Sequence, residues 1–374
     1  MVDWEFKDQD TQYLSHNIHR YSGKFIPQIA RSVMDIISEK NDTILDPYVG
    51  SGTTALEAMI SGRKCIGIDI NPLAILISEV KTNVIPVEEL EQFRIDLKSS
   101  LEISINMQSV LFDAPYSVSI NDIHREERTS NEWNQKWYQP EVLEQLVQIY
   151  AVIENISDES LQKIAKVAFS SILRKSSNAS SRYPNVMYDK NHKKKSLPLK
   201  SFIDSFDDLI NKLQELSRYM MEKPGEVTYI LGNNTRMHLE DSSVDAIITH
   251  PPYIAAVPYA EYNCLSLEWF GYSSKELDSE ITGGKRHRKD VVERFRDDYE
   301  KMIAESYRVL KPQKYAFFMV GNPTAGGKKV NLHDMTVEIA KKIGFEYVYT
   351  AVRKGMNRRG NNMGEEYLEF FRKR

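Results

Sequence analysis

Cysteine is nearly absent: the chain of 374 residues holds two, Cys65 and Cys264. No Cys/His spacing resembles a zinc site, so neither a disulfide framework nor a structural metal is implied, and both thiols read as buried spectators. Long apolar runs are also missing, and the opening stretch MVDWEFKDQDTQYLSHNIHRYSGKF is polar and charged from its third residue. That argues against a signal peptide and a membrane span and makes the cytoplasm the expected address. Nor does either charge dominate: 49 Lys and Arg against 53 Asp and Glu leave −4, so attraction to a polyanion must come from local clusters. What is present is a 41% hydrophobic content, enough for a large core. The length suggests about two domains at roughly 150 residues each.

The first strong pattern is DTILDPYVGSGTTALEAMISGRKCIGIDINPLAILISEVKTNV, residues 42–84. A short β run, Thr43–Leu45, ends in Asp-Pro and a glycine turn follows; Thr54–Ile60 then carries apolar residues at helical spacing, with Gly62 placed to stop the helix. A second strand, CIGIDI, reaches Asp69 and passes through Asn-Pro into another helix with the proline near its start. This is a βαβ unit of nucleotide-binding type and predicts a doubly wound α/β sheet. The alternation resumes only after residue 225, with VTYILGNN and VDAIITHPPY as strands. Phe295, Tyr299, Met302, Ile303 and Leu310 then share one helical face, YAFFMVGN is a strand, MTVEIAKKIGFEYVYTAVR a helix and strand, and EEYLEFFRK a last strand. Residues 1–84 and 225–374 are read as one discontinuous catalytic domain. Residues 85–224 carry amphipathic helices instead and read as an insertion; its polar, Lys-rich stretch SSNASSRYPNVMYDKNHKKKS is expected to be mobile or ordered by a ligand.

Several residues of the first unit suit a small anionic nucleoside. Asp46 ends the first strand, Gly50 and Gly52 let a ligand approach the backbone, and Thr53 and Thr54 open a helix whose N-terminus favours a carboxylate. The full Gly-x-Gly-x-x-Gly is missing and no Gly-Lys-Ser/Thr follows, so a dinucleotide or a triphosphate fits poorly. Asp69, followed by Ile70 and Asn71, stands where such sheets place an acid against ribose hydroxyls. Helix capping is the alternative reading of both aspartates.

DPYVGSGTTALEA is similar to the cofactor motif of the amino-group DNA methyltransferases, and THPPY at 249–253 resembles their (Ser/Asn/Asp)-Pro-Pro-Tyr catalytic motif. HRYSGKFIPQIA is similar to the family's segment that closes over the methionine end of S-adenosylmethionine, which implies roles for Tyr21, Lys24 and Phe25. LSLEWFGY and RRGNNMGEEYLEFFRK resemble parts of cytosine-N4-type enzymes. The resemblance implies a class I S-adenosylmethionine-dependent fold and assigns His250, Pro251, Pro252 and Tyr253 to catalysis. In it the Pro251 carbonyl and the preceding side chain accept the amino hydrogens, while Tyr253 stacks on a base turned out of the duplex. The cofactor motif precedes the catalytic one, with the insertion between them as a target-recognition region. At LGNN, where relatives often have Gly-Asp, Asn233 or Asn234 would bond the adenine of the cofactor, unless the pair only makes a turn.

The residue types make chemical sense without the name. Methyl transfer to an exocyclic amine needs that amine held in line with the donor bond, and two prolines fix the backbone while contributing no N–H. Here His250 replaces the usual Ser, Asn or Asp; a neutral imidazole accepts one hydrogen bond, whereas a protonated one donates and repels. Activity is therefore expected to fall with the histidine's protonation somewhere within about pH 5.5–8. Neither cysteine has the Pro-Cys context of a C5-cytosine nucleophile, so direct attack by the amine is the expected mechanism.

Three basic clusters are placed to track phosphates: Lys190 with Lys193, Lys194 and Lys195; Lys285, Arg286, Arg288 and Lys289; and Arg353 to Arg359, with Arg358 and Arg359. The sequence thus points to an enzyme that methylates cytosine N4 in double-stranded DNA, alone or beside a cognate restriction endonuclease. Adenine-N6, RNA amino-group and protein-glutamine methyltransferases are the rival enzymes, and a catalytically silent cofactor-binding DNA module is the rival non-enzyme. No metal is called for.

Overall fold

The computed structural model describes residues 2–24, 26–108, 126–183, 185–220, 224–254, 259–283, 289–325, 328–356 and 362–374. The chain up to Tyr219 contains α1 (Pro27–Ile37), β1 (Thr43–Asp46), α2 (Thr53–Ile60), β2 (Lys64–Asp69) and α3 (Pro72–Lys81), followed by α4 (Val87–Gln108), α5 (Glu132–Trp137), α6 (Pro140–Glu154), α7 (Glu159–Ser176) and α8 (Pro198–Tyr219). The chain then returns to the sheet with β3 (Val227–Leu231) and β4 (Val244–Thr249). After these come α9 (Tyr259–Trp269), α10 (Ser274–Glu280), α11 (Val291–Val309), β5 (Leu310–Gly321), α12 (Leu332–Ile343), β6 (Phe345–Met356) and β7 (Asn362–Lys373).

The seven strands run in the order β3-β2-β1-β4-β5-β7-β6. The first five are parallel, and β7 enters antiparallel between β5 and β6. The strand order reverses between β1 and β4, the position at which a doubly wound sheet opens a crevice beyond its carboxyl ends. All six residues of β4 are buried, as expected of a central parallel strand covered on both faces. One core layer joins α11 and α12 to the sheet through Phe295, Tyr299, Met302, Ile303 and Phe318. The other joins α1 through Ile29, Val33 and Met34 to Ile44, Ile248 and Phe317. Leu310, predicted on the helical face, is instead the first residue of β5, because the chain leaves helical geometry after Val309.

The helices between β2 and β3 do not stand apart from the sheet. A third and larger core runs from Leu73 and Ile77 of α3 through α4, α6, α7 and α8 to Leu265, Leu267 and Trp269 of α9. Side-chain caps fix several helix starts: Asn71 accepts from Leu73 N at the start of α3, and Asp158 from Leu161 N at the start of α7. The stretch after α7, expected to be mobile or ligand-ordered, begins with the buried residues Ser177, Asn178, Ala179 and Ser180. It is pinned by backbone bonds from Asn178 N to Trp137 O (2.7 Å), Ser180 N to Met187 O (2.7 Å) and Asp189 N to Asn178 O (2.9 Å). Short polar side chains make such a segment look like a surface loop in the sequence, yet they also let its backbone be satisfied inside the protein. Among the described residues no helix is long and apolar enough to cross a membrane.

Gly67 in β2 marks the tightest packing behind the crevice: a Cβ there would lie 2.7 Å from Val49 Cγ2 and 3.1 Å from Tyr229 Cδ1. Gly67→Ala is expected to destabilise the protein by about 1–3 kcal/mol through overpacking, read as a lower urea midpoint with an unchanged slope.

Candidate active site

The carboxyl ends of β1 and β4 lie side by side because Ile44 pairs with Ala246 and Leu45 with Ile247. That register brings Asp46 level with Ile248 and within reach of the next residue, Thr249, whose hydroxyl donates to Asp46 Oδ1 at 2.6 Å across 203 residues of sequence. Tyr48 N donates to the same oxygen at 3.1 Å. Burial pushes the Asp46 carboxyl up to about 6 against these bonds, which favour its charged form.

Asp69, at the end of β2, is held differently. Its Oδ2 accepts from Gly50 N and its Oδ1 from Asn71 N, both at 2.9 Å. Asn71, and not Asp69, caps α3. Asp69 is thus an anchor for the glycine turn, with a further lone pair on each oxygen; burial raises it to about 6 as well. Gly50 sits at φ +52 beside the Tyr21 ring, so the turn needs glycine at this position.

These residues line one cavity with Tyr21, Lys24, Thr53, Ile70, Asn71, Asn233, Asn234, His250, Pro252 and Tyr253. Nearly every predicted cofactor and catalytic residue that the structure describes is therefore gathered at one place. The exceptions have their own positions. Gly52 and Thr54 do not line the cavity; Gly52 lets α2 approach α3, since a Cβ there would meet Ser78 Oγ at 2.9 Å. Thr54 is fully buried, and Pro251 is buried behind its neighbours. Asn233 is exposed and closes a turn onto Thr235 N, whereas the buried Asn234 donates to Pro47 O at 2.7 Å. Lys24 donates to His16 O at 2.9 Å. Phe25, Lys285, Arg286, Arg288, Arg358 and Arg359 lie outside the described residues.

The side chains of His250 and Tyr253 belong to a chain of bonds. Tyr253 Oη donates to Glu366 Oε1 at 3.1 Å, and Arg353 pairs with Glu366 at 3.4 Å. His250 Nε2 lies 3.0 Å from the same phenol oxygen. Tyr253 has a single proton, which goes to Glu366, and the His250 ring also bonds the Gly23 backbone. Burial lowers His250 to about 4; the Gly23 backbone favours the charged form but is outweighed. This corrects the expected pH response: His250 stays neutral through the whole range from about pH 5.5 to 8. The Tyr253 ring rests on Gly321 at the end of β5, where a Cβ would come within 2.8 Å.

Four contributors escaped the sequence reading. The Tyr48 hydroxyl meets Thr282 Oγ1 at 2.9 Å, tying the glycine turn to the segment after α10. Tyr259 of α9 closes another wall. Glu366 and Arg353 support Tyr253, and their local sequence marks neither of them. Arg353 had been grouped with the phosphate-tracking cluster, but it is nearly buried on Glu366. Of the other basic residues, Lys193, Lys194 and Lys289 are exposed, Lys194 standing 3.6 Å from Glu141, and Lys195 is half-buried.

A family model described as DNA methylase matches residues 4–79. The type II methyltransferase M.MvaI of Kocuria varians is 26% identical, covering 95% of this chain and 87% of its own length. M.MjaII of Methanocaldococcus jannaschii is 24% identical over 99% of this chain and 83% of its own. Among solved structures, a SAM-dependent methyltransferase from Methanosarcina mazei matches at 12% identity and a TM-score of 0.36, over 91% of this chain and 96% of that one, too slight a likeness to build on.

His16, His19 and His250 are all buried and lowered to about 4 from 6.5. Each contributes stability that is present above pH 6.5 and is lost as the pH falls toward 4; Asp46 and Asp69, raised from 3.8 to about 6, act in the opposite direction over the lower part of that window. Replacing His250 by Asn removes one acid-labile group. The loss of stability between pH 7 and 5, measured by urea unfolding, is expected to shrink by about 1–2 kcal/mol in the variant; an unchanged loss would mean that His250 titrates normally.

Proposed function

We propose that this chain, which belongs to the amino-group DNA methyltransferase family, methylates the exocyclic N4 of cytosine in double-stranded DNA by direct attack on a base turned out of the helix. The observation that carries the reading is the convergence of the glycine turn, Asp69 and His250-Pro-Pro-Tyr253 on one cavity. S-adenosylmethionine is the cofactor and supplies, when bound, an electrophilic methyl group on a sulfonium.

The donor set suits that group. Asp69 has acceptor capacity left for ribose hydroxyls, and the first turn of α2 with Thr53 favours a carboxylate. On the opposite wall, His250 presents a neutral ring beside the place the target amine would take. Tyr253, with its hydroxyl fixed by Glu366, offers a ring face to the base. Attack by the amine would form the N–C bond as the donor's S–CH3 bond breaks, with S-adenosylhomocysteine as the leaving group, and the amine would then lose its proton to solvent.

Cytosine N4 is favoured over adenine N6 by the LSLEWFGY and RRGNNMGEEYLEFFRK segments; adenine N6 is the second reading, because His250 departs from the residue that usually informs this choice. We assign target recognition to the helical segment 85–224, the place of action to the cytoplasm, and a cognate endonuclease as the partner in a restriction-modification pair.

Duplex DNA and total RNA incubated side by side with methyl-labelled cofactor, then digested to nucleosides and resolved by mass, test this directly. N4-methylcytosine in the DNA is expected; label in RNA alone, or none anywhere, would overturn the reading. Tyr253→Ala should lower transfer by about tenfold to a hundredfold, the worth of one stacked base, while leaving the affinity for S-adenosylhomocysteine within about twofold by calorimetry. Asp69→Ala should do the reverse and weaken that affinity at least about tenfold.

A further inference from the structure

A second cleft, of about 430 Å3, opens beside the catalytic cavity and is assigned no role by the chemistry above. Its walls are the end of α7, the pinned segment after it, α9 and residues 19–22. Ser22 lines both spaces, and the short run 19–24 divides them: Arg20 faces the cleft, Tyr21 and Lys24 the cavity. Helix α9 is shared in the same way, with Tyr259 in the cavity and Tyr262, Asn263 and Ser266 in the cleft.

The charge of the cleft is one-sided. Arg20, Arg174, Lys175 and Lys195 line it and no carboxylate does, in a chain where acids outnumber bases. Arg20 and Lys175 are exposed and form no ion pair with another described residue. Arg174 lies close enough to Arg20 for that like charge to lower its pKa, after burial as the larger cause. An exposed cluster of cations with no carboxylate in its lining attracts an anion, which relieves their mutual repulsion. Arg174 also organises the wall: one of its amino groups reaches the carbonyls of Ser180, Tyr183 and Asn185.

The floor is ordered before any ligand binds. His19 Nε2 meets Ser170 Oγ at 3.0 Å, and Ser170 Oγ meets Ser266 Oγ at 2.7 Å, a buried relay that joins residue 19 to α7 and α9. Tyr183, exposed, and Tyr262 put rings at the same place as the charges. Cations beside aromatic rings, in a cleft that shares Ser22 with the neighbouring cavity, suit a nucleotide strand better than a free anion.

We propose that this cleft takes the phosphodiester backbone of the target strand, with Arg20, Lys175 and Lys195 on phosphates next to the nucleotide whose base enters the catalytic cavity. The assignment rests on the DNA methyltransferase reading and adds a path for the strand. That path runs between the helical segment and residues 19–22, so the segment contributes to holding the backbone as well as to recognition.

The test is a mixed-sequence DNA duplex titrated at several salt concentrations against the full-length protein and the double variant Arg20→Ala/Lys175→Ala, both positions being exposed. S-adenosylhomocysteine affinity by calorimetry serves as a readout that the cleft should not move. The variant is expected to bind DNA at least about tenfold more weakly at 0.1 M salt and to lose about two from the slope of log K against log salt, one per phosphate contact, with cofactor-product affinity within about twofold of wild type. A control pair outside the cleft, Lys301→Ala/Lys342→Ala, should keep the wild-type slope. An unchanged slope in the cleft variant, or an equal loss in the control, would overturn the cleft assignment while leaving the methyltransferase reading intact. A wild-type protein that neither binds nor methylates duplex DNA would overturn both.

Discussion

The bond from Thr249 to Asp46 is the constraint on which the rest of the site depends. It joins the last residues of two neighbouring parallel strands at the sheet's switch point, and at 2.6 Å within a fully buried pair it leaves little freedom between them. The glycine turn follows Asp46 directly, and His250-Pro-Pro-Tyr253 follows Thr249 directly. Strand spacing in a parallel sheet, about 4.8 Å, therefore sets how far apart the two halves of the chemistry stand. A reaction that needs a nitrogen aligned with an S–C bond gains most from this kind of fixed placement.

The second half is fixed from the far side of the sheet. Tyr253 lies on the Gly321 backbone and is hydrogen-bonded to Glu366, so β5 and the antiparallel β7 both hold the aromatic platform. Arg353 of β6 completes the support by neutralising Glu366. An antiparallel hairpin at one end of the sheet thus reaches the cavity: it carries an ion pair whose carboxylate accepts the Tyr253 proton. A buried polar network of this sort rigidifies only when every member is satisfied, and the imidazole of His250 is the member that replaces a simpler oxygen acceptor.

Much of this was legible in the sequence because the site is built from short contiguous motifs. Asp46, Gly50, Asp69 and the tetrapeptide at 250–253 are each marked by turn chemistry next to a strand, and strand-end loops of a doubly wound sheet have only one crevice to share. The supporting residues were not legible, because their meaning lies in pairings between distant strands: nothing local distinguishes Glu366 from a solvated acid, or Arg353 from the basic run after it. Gly52 misled for the opposite reason, since a glycine in a ligand-binding turn and a glycine under a helix crossing look alike until Ser78 is seen beside it. The histidine's ionisation was misjudged because its model behaviour belongs to water and not to a buried wall.

The helical stretch between β2 and β3 shares its core with α3 and α9, so its position relative to the catalytic loop is set by packing and not by a linker. Such continuity suits a protein that must place a nucleic-acid strand and a cofactor in register. The most direct test of the whole account is a crystal structure of the protein with S-adenosylhomocysteine. The account predicts the ribose hydroxyls on Asp69 and the sulfur facing Tyr253 from the side of the Gly50 turn. A ligand bound anywhere else, or bound here with the Asp69 carboxylate untouched, would contradict it.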